Sequence, residues 1–415
     1  MRVYIESNGC NRRNSELYRI CKYFNLNGYE MVNSPQKADY IFLNTCAFKK
    51  REEDYSILRI RVLKKYPAKL IVYGCLPDIA PSRFKEFSSI AHLAPKNIDK
   101  IDSYFKNIIF KFSEIRDSIA TVEHTNLCPL TTSIHKFKRE FEFSNDFCLR
   151  IARHAEKRLK TTFGLYKKYL NLFICRGCFG NCSYCAVKRA IGSLESQPIK
   201  LVIKRFKEAF NAGYRDFVIL GDDVGAYGQD INNTFTELLS RLIDESNKLS
   251  VQSPQKLKKN GEISFYIEEL SPKWLLLFGE KLFDLFRTKH IRSILCPIQS
   301  GSDRILKLMN RHHNSKGIAD YLLKLKTVNP EIQLSTHIIV GFPSETEEDF
   351  EETLHLLNKI HFDIVVIFPY HEKENTPAIR VNPKIPDDVI RERVKKAQKY
   401  FKKQKIKVYL SCPGN

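Results

Sequence analysis

Residues 171–185 read NLFICRGCFGNCSYC, an apolar run followed by a turn-rich loop. The run Asn171–Cys175 is short, apolar and bounded by polar residues, which predicts a buried β-strand. The loop after it carries three cysteines at positions i, i+4 and i+7, namely Cys178, Cys182 and Cys185 (the barrel cysteines). Ligands of α/β sheets bind at the carboxyl ends of strands, so this cluster of thiols predicts a ligand site there.

The spacing of the barrel cysteines suits an iron–sulfur cluster better than zinc. Cluster irons take cysteine thiolates, and a loop that wraps a cluster needs small residues such as Gly180 and Asn181. Three thiolates on a four-iron cluster leave one iron open for a substrate. Zinc is the alternative, because Cys175 would raise the set to four thiolates. Zinc sites usually pair two separated CxxC motifs, however, and Cys175 lies in the predicted strand.

Strand and helix signals alternate along the rest of this half of the chain. Strands are predicted at Asn171–Cys175, Asp216–Leu220, Ser264–Glu268, Ser293–Ile298, Gln333–Val340 and Asp363–Phe368. Helices are predicted at Pro198–Ala212, Phe235–Asn247, Lys273–Phe286, Ser315–Lys326 and Glu345–Lys359. Six βα units in succession predict a curved parallel sheet, a partial (β/α)6 barrel of the TIM type.

The first part of the chain shows the same alternation and carries its own cysteines. Strands are predicted at Arg2–Glu6, Tyr40–Asn44 and Lys69–Tyr73, with helices at Ser15–Asn25 and Glu52–Lys65 between them. This predicts an open parallel sheet of Rossmann or flavodoxin type, so the fold class is α/β throughout. A cysteine follows each strand, and these are Cys10, Cys46 and Cys75 (the N-terminal cysteines). Because the carboxyl ends of parallel strands share one edge, we expect the three to converge.

Charge and composition indicate the class of partner and the compartment. The 415 residues carry 68 Lys and Arg against 47 Asp and Glu, a net charge of +21, which favours a polyanion such as RNA. Twelve cysteines without a signal peptide indicate free thiols in a reducing compartment. Apolar runs are too short to span a membrane. We expect a cytoplasmic protein without a membrane partner.

Two basic stretches flank the predicted barrel, Lys136–Lys168 and Lys384–Lys407. They divide the chain into an N-terminal domain at 1–118, a basic connector at 119–168, the barrel at 169–382 and a basic C-terminal helix at 383–415. Within the second stretch, five lysines are candidates for contacts with nucleic acid. These C-terminal lysines are Lys395, Lys396, Lys399, Lys402 and Lys403.

The motif CxxxCxxC with an aromatic residue before the last cysteine resembles the radical S-adenosylmethionine (SAM) enzymes. Other segments resemble the methylthiotransferases among them: DYIFLNTCAF at 39–48, IVYGCLP at 71–77, LGDDVGAYGQD at 220–230, PIQSGSD at 297–303 and IIVGFPSET at 338–346. The sequences at 180–185 and 192–196 are most similar to those of the archaeal and eukaryotic branch of the family. That branch methylthiolates threonylcarbamoyl-adenosine in tRNA.

The resemblance implies two [4Fe-4S] clusters and SAM as cofactors. The barrel cysteines would hold the cluster that binds SAM and cleaves it to a 5′-deoxyadenosyl radical, and the N-terminal cysteines would hold an auxiliary cluster that supplies methylated sulfur. The reaction would insert a methylthio group at C2 of the adenosine, near the anticodon. It also implies a sulfur source and an electron donor such as flavodoxin or ferredoxin, and we expect a monomer.

Polar and glycine residues at the predicted strand ends are candidates for contacts with SAM. They are Gly221, Asp222, Asp223, Glu268, Ser271, Gln299, Ser300, Gly301, Val340 and Gly341. No general base is needed in radical chemistry, so no catalytic residue is expected beyond the cluster ligands.

Departures from the family pattern leave the substrate open. Asn14 stands one position later than the family's asparagine, Ile191 precedes Gly192 where the family has arginine, and His337 replaces an aspartate. We also expect the family's C-terminal TRAM barrel to be missing. A peptide or protein side chain therefore stays an alternative to tRNA as substrate. A non-catalytic, zinc-bearing RNA-binding protein is the third interpretation.

Overall fold

The computed structural model describes residues 1–115, 169–255 and 261–410. The basic connector, including Lys136–Lys168, lies outside the described residues. The N-terminal sheet has five strands in the order β2-β1-β3-β4-β5, and all its pairs are parallel. These strands are β1 at Arg2–Ser7, β2 at Glu30–Val32, β3 at Tyr40–Thr45, β4 at Lys69–Gly74 and β5 at Ala91–Leu93.

Helices cover both faces of this sheet, as predicted for a Rossmann-type domain. The four helices are α1 at Asn11–Leu26, α2 at Lys50–Leu63, α3 at Leu76–Ile79 and α4 at Pro81–Phe84. Residues of α1 such as Leu17 pack with Phe42 on one face, and residues of α2 such as Ile57 pack with Leu43 on the other. The edge strands β2 and β5 were not predicted, because three residues are too short to show a periodic pattern.

The second sheet has eight strands in the order β13-β12-β11-β10-β9-β8-β6-β7. The strands are β6 at Tyr169–Arg176, β7 at Glu195–Ser196, β8 at Asp216–Gly221, β9 at Ser264–Ile267, β10 at Ile291–Leu295, β11 at Gln333–Val340, β12 at Ile364–Pro369 and β13 at Lys407–Leu410. The short β7 runs antiparallel to β6, and the other pairs are parallel. All six predicted barrel strands are present.

The helices of this half of the chain are α5 at Val187–Ile191, α6 at Ile199–Asn211, α7 at Phe235–Gln252, α8 at Pro272–Phe286, α9 at Asp303–Leu308, α10 at Ser315–Val328, α11 at Glu347–Ile360 and α12 at Asp387–Lys403. Ala190 of α5 packs with residues of α3 in the N-terminal domain, and Ile305 of α9 packs with Ile339 and Phe342. The other helices pack against the outer face of the sheet and leave its inner face to line the barrel. Ile338 and Ile367 belong to the core under these helices. Side chains alternate along a strand, so His337 and Phe368 face the barrel interior.

The C-terminal segment differs from the prediction of one basic helix at 383–415. The helix ends at Lys403, and β13 then pairs with β12, with Ile364 in register with Lys407. The high charge of the segment concealed a strand of only four residues, KVYL. This segment therefore extends the barrel sheet and places α12 among its outer helices.

A bilayer-spanning helix would need about 20 apolar residues. No helix within the described ranges is long and apolar enough.

Candidate functional site

The N-terminal cysteines meet at one edge of their sheet. Cys46 and Cys75 follow β3 and β4 directly, and the last residues of those strands, Thr45 and Gly74, are paired in register. The backbone N–H of Cys75 donates to Thr45 O at 3.1 Å. Cys10 lies at the start of α1, just beyond β1. The predicted convergence of strand ends is thus present, and the role of these thiols as cluster ligands stays a prediction.

Burial and neighbouring charges control the protonation of Cys46 and Cys75. Burial and, to a smaller extent, the neighbouring Cys10 raise the pKa of Cys46 to about 12. Burial also raises the pKa of Cys75, while Arg13 opposes this rise. The neutral forms of Cys46 and Cys75 are therefore favoured until a metal supplies the positive charge that thiolates need.

Backbone geometry shapes the loop that carries the barrel cysteines. Gly177 has φ +82°, and a Cβ there would lie 1.9 Å from Ser193 O, so no other residue fits. Gly180 N–H donates to Cys178 Sγ at 3.2 Å. A Cβ on Gly180 would lie 3.4 Å from Cys178 Sγ and 3.8 Å from Cys182 Sγ, so these two thiols border one small space.

The same loop is fixed to distant parts of the barrel. Ser183 N–H donates to Met309 O at 2.9 Å, and its hydroxyl donates to Leu308 O at 2.7 Å. Ala378 N–H donates to Ser183 O at 2.9 Å. The Arg311 guanidinium lies 3.6 Å from Cys182 Sγ. A rigid loop with a cation beside one thiol suits a site that must hold thiolates in place.

The chemistry of the donor sets suits iron–sulfur clusters. Each triad consists of three thiols, and each thiolate of a cubane cluster binds a different iron. A zinc site of four thiolates would need Cys175 to join the barrel cysteines. Cys175 is fully buried in β6, and its thiol lies 3.6 Å from Asp223 O rather than in the loop. Both triads match the three-thiolate pattern.

Of the two aspartates expected near SAM, Asp223 lies against a thiol of the cysteine loop. Its carboxylate accepts from Trp274 Nε1 at 2.9 Å and lies 3.6 Å from Cys178 Sγ, and burial raises its pKa. The Asp222 carboxylate instead pairs with Arg13 at 3.0 Å and accepts from Gly177 N–H at 3.0 Å. Asp222 therefore joins the two sheets.

Some of the remaining candidates for SAM contacts lie at the ends of the barrel strands, and others pack against helices. Glu268 follows β9 toward the barrel interior, and burial raises its pKa. Gln299 has φ +74° and forms a bridge to Ile338, and Gly221 ends β8. Ser271 is the N-cap residue of α8.

Three of the polar and glycine candidates pack against helices. The Ser300 hydroxyl lies 3.3 Å from Thr353 Oγ1, and a Cβ on Gly301 would lie 2.5 Å from Thr353 Cα. Gly341, just after Val340 at the end of β11, has φ +82°, and a Cβ there would lie 2.3 Å from Ile390. Packing explains these residue types without a ligand, and their contact with SAM stays a prediction.

A buried charge network that sequence reasoning missed connects the two triads. Arg13 pairs with Glu16 at 2.8 Å as well as with Asp222, and Glu16 also pairs with Arg176 at 3.0 Å. The Arg13 side chain is only 2% exposed. The two consecutive arginines that follow Asn11 were the available signal, but Asp222, which both of them contact, lies 209 positions from Arg13 in the sequence.

The C-terminal lysines are exposed on α12. Lys396 is engaged by Glu347 at 2.7 Å and by Glu351. The helix runs antiparallel to the strands, because β13 follows it and starts level with the first residue of β12. Lys402 and Lys403 consequently lie at the edge of the barrel opposite the cysteines, about 25 Å from the helix start at 1.5 Å per residue.

Comparison with known proteins agrees with this arrangement. Residues 172–357 match the radical SAM superfamily, and residues 2–94 match the uncharacterized protein family UPF0004. A probable threonylcarbamoyladenosine tRNA methylthiotransferase of Pyrococcus horikoshii is 30% identical over 396 residues, covering 95% of this chain and 82% of that protein. A tRNA-2-methylthio-N(6)-dimethylallyladenosine synthase of Sulfurimonas denitrificans is 29% identical over 407 residues, covering 95% and 81%.

Solved structures share the fold at low sequence identity. The radical SAM methyltransferase TsrM of Kitasatospora setae, with cobalamin and a [4Fe-4S] cluster bound, superposes with a TM-score of 0.59 at 12% identity. The match covers 91% of this chain and 76% of that one. With relatives that match along nearly its whole length, the chain belongs to the radical SAM methylthiotransferase family.

Proposed function

We propose that this protein methylthiolates tRNA at C2 of threonylcarbamoyl-adenosine near the anticodon. As a member of its family it is a radical SAM transferase that uses SAM and [4Fe-4S] clusters. The observation that carries the proposal is the juxtaposition of two cysteine triads from separate sheets. Cys10 precedes Arg13 on α1, Arg13 pairs with Asp222, and Asp222 binds the N–H of Gly177, next to Cys178.

In this proposal the barrel cysteines hold the cluster that binds SAM, and the N-terminal cysteines hold the auxiliary cluster. When bound, these groups supply the radical that removes a hydrogen atom and the methylated sulfur that replaces it. The chain's own residues position the two clusters and exclude water. Arg13 and Asp222 would set the distance between the triads, because both are buried and they belong to different domains.

An aromatic surface beside Cys46 supports a nucleobase as the substrate rather than a peptide. Phe48 is 47% exposed, and its ring lies 5.7 Å from that of Phe368 on the inner face of the barrel. The His337 ring lies 5.0 Å from Phe368 on the same face, and Lys49 Nζ lies 5.3 Å from the Phe368 ring. Aromatic side chains with a cation beside them stack unpaired bases, and an excess of positive charge holds the phosphates.

The remaining partners follow from the same proposal. Electron transfer to the barrel cluster would come from a reductant such as flavodoxin or ferredoxin, and each turnover would require a sulfur source. We propose that the protein is a monomer. We also propose that it acts in the cytoplasm, where its tRNA substrate is found.

The proposal is tested by incubating the anaerobically reconstituted protein with SAM, a reductant, sulfide and tRNA that carries threonylcarbamoyl-adenosine. Two clusters predict about eight irons per chain. We expect mass spectrometry of the digested tRNA to show the methylthio derivative. Cys182→Ala should abolish 5′-deoxyadenosine release, whereas Cys46→Ala should retain it and form no methylthio nucleoside. If the wild-type protein releases 5′-deoxyadenosine but the tRNA gains no methylthio group, the proposed tRNA substrate is wrong and a peptide substrate should be tested.

A further inference from the structure

Arg12 lies between the two cysteine triads. It is in the first turn of α1, two residues after Cys10, and its side chain reaches across to the barrel. Nη1 lies 3.4 Å from Gly221 O and 3.5 Å from Glu269 Oε1, and Nε lies 3.5 Å from Asp222 Oδ1. These contacts are with residues that end or follow β8 and β9, and Asp222 also binds the N–H of Gly177 in the cysteine loop. The Arg12 guanidinium therefore lies at the junction of the two domains, on the edge of the barrel that carries the cysteine loop.

The guanidinium of Arg12 keeps donor capacity that its neighbour Arg13 has used. The polar contacts of Arg12 described above are 3.4–3.5 Å long, whereas Arg13 binds Glu16 at 2.8 Å and Asp222 at 3.0 Å. Charge-assisted N–H···O bonds are normally about 2.7–2.9 Å long. The Arg12 side chain is 22% exposed against 2% for Arg13. A planar fork of five donors in such a place suits a carboxylate, which it can bind with two parallel bonds.

We propose that Arg12 binds the carboxylate of the threonylcarbamoyl substituent on the substrate adenosine, an inference that rests on the proposed function. This substituent is attached at N6 of the base and ends in a negatively charged carboxylate, whereas a dimethylallyl substituent at the same atom is apolar. Relatives named for the two nucleosides are 30% and 29% identical to this chain, so overall similarity does not separate them. The positive charge of Arg12 at the junction of the triads favours the nucleoside whose substituent is negatively charged.

Glu269 is the group that a substrate carboxylate would displace. It follows Glu268 after β9, has φ +54°, and contributes the acidic partner of Arg12 on the barrel side. A substrate carboxylate beside Arg12 would be repelled by the charge of Glu269, whose own pair with Arg12 is 3.5 Å long. Removing the charge of Glu269 should therefore strengthen binding of the acidic substituent, while removing the charge of Arg12 should weaken it.

The methionyl group of SAM also carries a carboxylate, so the experiment must distinguish the two sources. Binding is measured by fluorescence anisotropy on cluster-loaded protein without SAM. Three anticodon stem–loops are compared, with threonylcarbamoyl-adenosine, unmodified adenosine or dimethylallyl-adenosine at the target position. SAM binding is measured separately by equilibrium dialysis. Lys49→Gln is the matched control, because it removes the same unit charge near the barrel mouth.

We expect wild-type protein to prefer the threonylcarbamoyl stem–loop. Arg12→Gln should lower that affinity about tenfold or more and leave the unmodified stem–loop unchanged, as expected for loss of a charged hydrogen bond. Glu269→Gln should raise the affinity for the threonylcarbamoyl stem–loop. Lys49→Gln should weaken the binding of all three stem–loops equally. The affinity for SAM should not change in Arg12→Gln. If Arg12→Gln takes up too little cluster, Arg12→Lys replaces it. A partial preference for the threonylcarbamoyl stem–loop in Arg12→Lys, with an intact absorbance spectrum of the clusters, supports the assignment.

The outcomes separate this inference from the proposed function. If Arg12→Gln keeps the wild-type preference for the threonylcarbamoyl stem–loop, the role of Arg12 is overturned and the proposed function still stands. If Arg12→Gln keeps that preference but loses affinity for SAM, the guanidinium binds SAM instead. A wild-type preference for the dimethylallyl stem–loop overturns both the proposed nucleoside and the inference.

Discussion

Replacing Arg13 by methionine should destabilise the barrel, although Arg13 belongs to the N-terminal domain. Its partner Asp222 follows β8, and the two side chains are 2% and 5% exposed at a distance of 3.0 Å. At that distance and an effective dielectric constant of about 20, the attraction is about 5.5 kcal/mol before desolvation. Removing one partner of a buried ion pair typically costs about 3–5 kcal/mol, because the other charge stays buried.

We expect a loss near the lower limit, about 3 kcal/mol, because Asp222 keeps Arg12 at 3.5 Å and the N–H of Gly177 at 3.0 Å. Asp222→Asn keeps an oxygen that can accept from Gly177 and removes only the charge. The double variant Arg13→Met/Asp222→Asn should therefore cost less than the sum of the single variants. A coupling free energy of about 1–3 kcal/mol is expected for such a contact.

The single tryptophan of the chain, Trp274, provides the assay. It lies in the barrel and donates to Asp223 at 2.9 Å, so its fluorescence reports on unfolding of that domain. Urea unfolding of anaerobic, cluster-loaded protein should show the Trp274 transition at a lower urea concentration in Arg13→Met. An unchanged transition, or free energies that simply add in the double variant, would refute the coupling between the two sheets.

Three further predictions concern a thiol, a charged surface and a histidine. Cys175→Ser should keep the full iron content, because the Cys175 thiol contacts Asp223 O in the sheet, and loss of about half the iron would show that it is a ligand. Replacing the C-terminal lysines together by glutamine should flatten the salt dependence of tRNA binding by several units of log–log slope, measured by gel shift, and an unchanged slope would exclude α12 from the RNA site. Burial lowers the pKa of His313 to about 3, so the unfolded chain gains a proton below about pH 6.5 that the folded protein does not take up. Wild-type stability should therefore fall by about 1–2 kcal/mol more than that of His313→Leu between pH 7 and pH 5, and equal losses in thermal unfolding would contradict this.

Periodicity and turn chemistry were enough to predict most of the fold. Apolar runs bounded by polar residues predicted the central strands of both sheets, and the structure has β3 at Tyr40–Thr45 and β11 at Gln333–Val340. Local patterns did not predict β7 or β13, because strands of two and four residues have no measurable period and are stabilised by pairing with a neighbour. The charge of α12 obscured the strand that follows it.

The sequence by itself determined which residues can carry the chemistry. Thiols at the spacing of Cys178, Cys182 and Cys185 leave few alternatives, and the topology of parallel strands dictates that cysteines at strand ends share an edge. What only the tertiary structure decided is how the two triads are joined and which neighbours surround them. Arg13 and Asp222 are 209 positions apart, so their pairing leaves no trace in local sequence. The same holds for Arg12, whose type was visible but whose place was not. A charge acquires its role from the groups packed around it, because desolvation and Coulomb energy depend on distance in space and not along the chain.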